Sequence, residues 1–183
     1  MTFLSIVKIG NPVLREKTAP IPLALLKKQE FQIFLDAMVK TMHQAQGVGL
    51  AANQVGEGIA AICLECRSNA RYPDHPAVPL QVYVNPKIVH YSKAKVEDWE
   101  GCLSIPGYRG PVIRSKEVEF EAYDRHGKKV RKKISGFHAR IMQHEVDHIN
   151  GFFYIDRMKN LKNWMHLDEF AQSFGVKIKE EKK

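Results

Sequence analysis

Two histidines and a glutamate, in the run Gln143-His-Glu-Val-Asp-His148, have the types and spacing to do chemistry. On an α-helix each residue turns the chain by about 100°, so His144 and His148 share one face, one turn apart. Two imidazoles set that way can close on one divalent metal ion, and Glu145, beside the first, can reach the water such an ion binds. The competing reading is a helix carrying two unrelated histidines. A catalytic metal site with one open position also needs a third protein ligand. Outside the helix the best donor is Cys102, in the Gly-flanked segment Glu100-Gly-Cys-Leu-Ser-Ile-Pro106. Most lone cysteines are instead small buried hydrophobes. Ligand chemistry alone, two His and one Cys with a water, is that of a zinc site.

The elements that must position these groups follow from pattern. Asn11-Pro12 reads as a cap and the start of a short helix. Pro20 and Pro22 break the chain before a longer helix in which Phe31, Phe34, Leu35, Met38, Val39 and Met42 recur at helical spacing, as core. That helix stops near Gln46-Gly47. The small-residue stretch Gly47-Val-Gly-Leu-Ala-Ala-Asn-Gln54 follows; it is either a tight loop or a backbone open to a ligand. Ile59–Cys66 reads as a strand, with Cys63 and Cys66 as buried strand residues because no second pair completes a zinc site. Residues 67–79 read as a loop, Gln81–Asn85 as a strand ended by Pro86, and residues 87–97 as a further exposed strand. Val112–Ile113, Val118–Tyr123 and Lys129–Ile134 continue as strands, with Arg125-His-Gly127 as a hairpin turn. The central helix runs from Phe137 to about Asn150 and stops at Gly151. Phe152–Ile155 reads as a strand, and about Lys159 to Ser173 as an amphipathic helix ended by Gly175. Strands in a block between helices favour an α+β fold, with mainly antiparallel sheets packed around the His-bearing helix and a C-terminal helix.

Composition narrows the class. A chain of 183 residues that is 44% hydrophobic can bury the core of one domain, and a 26% charged share argues against global disorder. Much of the formal charge of +8 is local: residues 125–133 hold six Lys or Arg, and the last seven residues hold four Lys against two Glu. Such concentration fits a solvated hairpin and a frayed tail better than a nucleic-acid reader. No stretch approaches the roughly 20 apolar residues of a membrane span. Three cysteines without a secretory leader point to free or metal-bound thiols in a reducing cytoplasm.

Taken together, Gly47–Gln54, Glu100-Gly-Cys-Leu-Ser104 and Gln143–His148 resemble, in order and approximate spacing, the three motifs of the peptide deformylase family. The resemblance covers nearly the whole chain, including Asn11-Pro-Val-Leu-Arg15 and Gly151-Phe-Phe-Tyr-Ile-Asp-Arg157. It implies one catalytic domain over residues 1–183. The implied activity is removal of the formyl group from the N-terminal formyl-methionine of new polypeptides, releasing formate. By position, Cys102, His144 and His148 would be the metal ligands and Glu145 the general base and then the acid. Gln54 and the backbone N–H of Leu103 would hold the formyl oxygen. Val48, Leu103 and Ile141 would accept the methionine side chain, with Gly49 contributing backbone to a peptide added as a strand. Arg109 either contacts the peptide or is a surface charge. The implied working ion is Fe²⁺, replaceable by nickel, cobalt or zinc. The implied partners are N-formyl-methionyl nascent peptides, with the basic hairpin a route to the ribosome and no role for DNA or membranes. Asn53 departs from the family pattern, where Pro or another residue is common, with an expected effect on loop stiffness only.

Two other readings compete. An HExxH endopeptidase would cleave unblocked peptides internally, but such enzymes usually take a third ligand from His or Glu. A non-catalytic ribosome-associated protein would rest on the basic hairpin and tail alone.

Overall fold

The computed structural model describes residues 3–67 and 76–175. Helix α1 (Gln29–Gln44) leads into strand β1 (Gly49–Ala51), then β2 (Ala61–Cys66), β3 (Val78–Tyr91), β4 (Lys95–Cys102), β5 (Ile105–Ser115), β6 (Glu117–Asp124) and β7 (Lys129–Ser135). Helix α2 (Gly136–Ile149), the short strand β8 (Met165–His166) and helix α3 (Leu167–Phe174) complete the order. One sheet has the order β1-β2-β3-β6-β7 and the other β4-β5-β8, and all their pairings are antiparallel. This is the expected α+β architecture with a C-terminal helix.

Burial of β2 organises the packing. All six of its residues are buried, which an almost unbroken apolar run allows in a strand covered on both faces. Ile62 and Leu64 pack with Ala139, Met142 and Val146 of α2. Ala61 and Cys63 pack with Leu35, Met38 and Met42 of α1. The five-stranded sheet thus lies between the two long helices. A third cluster, Cys102, Ile105 and Val112 with Leu14, Phe153 and Tyr154, carries the smaller sheet. Each fully buried Leu, Ile, Val, Met or Phe among these contributes about 1.5–3 kcal/mol on leaving water.

Several local expectations need correction. Pro86 does not end its strand; β3 continues to Tyr91. The ladder to β6 skips from Val84↔Tyr123 to Lys87↔Glu121, so Asn85 and Pro86 stand opposite one residue. At such a bulge the missing N–H of proline costs no ladder bond. Asn85, at φ +51°, turns its side-chain amide onto both the N–H and the carbonyl of Ile21. Phe152–Ile155 is not a strand, because Tyr154–Arg157 forms a 3₁₀ turn closed by the Asp156 carboxylate, which accepts the Phe153 N–H at 2.7 Å. The final helix is confined to Leu167–Phe174, and Met165–His166 instead pairs with Tyr108–Arg109. The small-residue stretch holds strand β1 and then a 3₁₀ turn over Ala52–Val55. Most of the loop expected over 67–79, and the basic tail, lie outside the described residues.

The hairpin β6–β7 is less basic in space than in sequence. Lys133 pairs with Glu117, and Arg131 reaches both Glu119 and Glu121. Among the described residues, no helix is long and apolar enough to cross a membrane.

Candidate metal centre

The two histidines of α2 meet the cysteine at the end of β4. His144 Nε2 lies 3.2 Å from His148 Nε2, which lies 3.2 Å from Cys102 Sγ, and the three ligand atoms fall within 4.8 Å of one another. Bond lengths of about 2.0–2.1 Å to nitrogen and 2.3 Å to sulfur put tetrahedral ligand atoms roughly 3.3–3.6 Å apart. The spacing therefore suits one small divalent ion held by two imidazoles and a thiolate. Helical periodicity supplies the first two donors. A two-residue turn between paired Cys102 and Ile105 supplies the third. Its position is held by N–H donation to Cys102 Sγ from Ser104, at 3.4 Å.

The aromatic run after α2 closes around the rings. Phe153 meets His148 edge to face at 5.5 Å, and Tyr154 stacks on His144 at 6.2 Å. Gly151 makes the sharp exit from α2 possible: its φ is +81°, and a Cβ there would lie 2.4 Å from the Arg15 carbonyl oxygen.

A buried charge network, absent from the sequence reading, orients His144. Its Nδ1 bonds Glu100 at 2.8 Å, which directs Nε2 into the centre. Glu100 also accepts both Nε and Nη2 of Arg114 at 2.9 Å, and Nη1 of Arg140 at 2.7 Å. Arg114 continues to Asp147, which takes Arg157 as well. Burial opposes the Glu100 charge, but Arg114 and His144 outweigh it and hold the carboxyl well below the usual range. Burial likewise opposes charge on His144, yet Cys102 and Glu100 outweigh it and raise its pKa well above the ordinary value. The same negative surroundings would stabilise a metal cation. His148 is pushed well below its ordinary value by burial and by the charge of His144, so it stays a neutral ligand.

Glu145, next to His144 on α2, lies against Gly49 of β1. Burial is the main reason its pKa rises to about 7, with Glu100 adding and His144 and Arg114 subtracting. Its Oε2 is buried without a hydrogen-bond partner among the described residues. Gly49 is the residue that leaves room for this carboxylate: a Cβ there would stand 2.1 Å from Glu145 Oε1. Gln54 is oriented by Ala51, whose N–H donates to Oε1 at 2.9 Å. That leaves Nε2 aimed at Cys102 Sγ, 3.4 Å away, and at Ser104 Oγ, 3.2 Å away. Asn53 does more than stiffen a loop: its buried amide donates to the His148 carbonyl at 2.6 Å.

A cleft of about 540 Å³, open to solvent, lies over this centre. Its lining includes Val48, Gly49, Gln54, Cys102, Leu103, Ile141, His144 and Glu145, all singled out from the sequence. Trp99, Glu100, Phe137 and Arg140 also line it, and nothing local gave any of them a role in the site. Arg109 stands apart from this lining, nearly buried in β5 with its guanidinium 5.2 Å from the centre of the Phe170 ring. Glu100 was legible only as part of a motif; its role depends on three residues far away in the chain.

Comparison with known proteins agrees with the site. Residues 3–164 match the family model for polypeptide deformylase. Peptide deformylase 1 of Bordetella pertussis is 41% identical over 157 residues, spanning 86% of this chain and 88% of its own length. The Met-Ala-Ser-bound class I type b peptide deformylase from Acinetobacter baumannii is 38% identical, with a TM-score of 0.84 over 86% of this chain and 99% of that one. A peptide deformylase from Synechococcus elongatus in complex with actinonin is 32% identical, with a TM-score of 0.77 over 96% and 87% of the two chains. On both sequence and structure, the chain belongs to the peptide deformylase family of enzymes.

Proposed function

We propose that this protein removes the formyl group from the N-terminal formyl-methionine of newly made polypeptides, in the cytoplasm, and releases formate. The observation that carries this reading is the convergence of Cys102, His144 and His148 beside a buried, uncommitted Glu145 carboxylate oxygen. Cys102, His144 and His148 would hold one divalent ion, with Fe²⁺ as the working ion. When bound, such an ion supplies Lewis acidity and lowers the pKa of water to about 7.

The remaining steps belong to the chain's own residues. Glu145, with a pKa near 7, can take a proton from the attacking water and return it to the departing amine. Gln54 Nε2 and the Leu103 N–H would hold the formyl oxygen as charge develops on it. The peptide has a ready track. β1 is an edge strand of the larger sheet and β4 an edge strand of the smaller, and both border the cleft. An extended chain can therefore add main-chain hydrogen bonds there. Val48, Leu103 and Ile141 give the methionine side chain an apolar wall. A relative solved with Met-Ala-Ser bound supports this class of ligand.

Formate release from formyl-Met-Ala by protein loaded anaerobically with Fe²⁺ or with Ni²⁺ tests the proposal. Absence of turnover by fully metallated protein would overturn it. The endopeptidase reading is disfavoured by the thiol as third ligand, and the purely ribosome-binding one by the paired cations of β6–β7.

A further inference from the structure

The segment Val7-Lys-Ile9 bonds the backbone of both residues assigned above to the formyl oxygen. The Val7 N–H donates to the Gln54 carbonyl at 2.9 Å, and the Ile9 N–H donates to the Ser104 carbonyl at 2.9 Å. Between them, Lys8 Nζ donates to the Leu103 carbonyl at 3.0 Å. Nearly a hundred residues of chain separate Lys8 from Leu103, so only the fold creates this contact. The Leu103–Ser104 peptide is consequently pinned at both ends, its carbonyl by Lys8 and its N–H by Cys102 Sγ at 3.4 Å. Holding that plane restricts the two torsions at the Leu103 Cα, and so limits how far the preceding N–H can swing.

We infer that residues 7–9 form a strap that holds the backbones of Gln54 and of Leu103–Ser104 in place beside the cleft, with Lys8 as the side chain that positions the Leu103 N–H. The inference rests on the deformylase reading, since it concerns donors for the formyl oxygen. Lys8 is exposed, and exposed charges contribute little to stability. Its effect should therefore appear in the rate and not in the fold. Preorganised donors act through their direction as well as their presence: complete loss of one costs about 10²–10³ in kcat. A donor kept but misaimed should cost less, about tenfold.

The test uses Ni²⁺-loaded protein and formyl-Met-Ala-Ser, comparing wild type, Lys8→Met, Lys8→Gln and Lys8→Arg. The expected result is kcat lower by about tenfold in the Met and Gln variants, with KM, bound metal and Tm unchanged, and rate restored in the Arg variant. Unchanged kcat would overturn the inference while leaving the deformylase reading intact. A fall in kcat that tracks lost metal or lowered Tm would also overturn it, by showing a merely structural contact. An inactive wild type would instead remove the functional reading on which the strap depends.

Discussion

Glu145 holds its proton at near-neutral pH because burial, more than any neighbour, opposes its charge. The carboxyl binds a proton more tightly in the folded chain, with a pKa of about 7 against an ordinary 4.5. Its stabilising contribution is therefore complete below about pH 4.5 and is lost as pH rises through about 7, a difference of about 3 kcal/mol. Glu145→Gln should lower kcat by about 10²–10⁴. In the metal-free protein, its stability relative to wild type should rise between pH 5 and 8.5 by up to about 3 kcal/mol. Urea midpoints across that range check the sign; a flat difference would mean the carboxyl ionises freely in the fold. Gly49→Ala places a methyl where Glu145 Oε1 now lies. A core this dense yields by displacing side chains, so that variant should bind metal normally yet lose most activity, as kcat and metal content measured together would reveal.

Elements are joined at this site by charge as much as by apolar packing. Glu100, near the end of β4, lies between Arg114 of β5 and Arg140 and His144 of α2. Glu100→Gln keeps the shape but leaves two buried guanidiniums short of a carboxylate. Losing one partner of a buried ion pair costs about 3–5 kcal/mol, and losing the group that orients a metal-ligating histidine typically costs 10–100-fold in metal affinity. Both should be seen, by denaturant unfolding and by competition with a coloured chelator. Loss of metal affinity without loss of stability would mean that water replaces the carboxylate.

On the scale of the whole molecule, the centre draws its ligands from elements that pack in two separate hydrophobic clusters. Cys102 belongs to the cluster of the smaller sheet, while the α2 side chains Ile141 and Val146 belong to that of the larger. Removing the ion should therefore loosen β4 and β5 before β2, which is buried on both faces. Metal present at a thousand times its Kd stabilises by about 4 kcal/mol. Chelation should lower Tm accordingly and speed hydrogen exchange in Trp99–Cys102 more than in Ile62–Leu64. Equal acceleration in both would indicate one cooperative unit without a preferred opening.

Periodicity and residue chemistry alone determined that His144 and His148 share a helical face with a carboxylate between them, that Phe31 to Met42 lie on one core helix, and that strands gather in one block. These are local consequences of 3.6-residue and two-residue repeats, which are written in neighbouring positions. Motif order then named Cys102 and Gln54. Tertiary structure alone decided that Glu100, Arg114 and Arg140 form the charged support of the centre, that Asn53 holds the His148 carbonyl, and that Lys8 touches Leu103. It also decided that Pro86 sits in a bulge and that Phe153 and Tyr154 wrap the imidazoles instead of entering a sheet. Most of these contacts join residues that local periodicity does not relate, and their energies come from burial and pairing that no short stretch of chain contains.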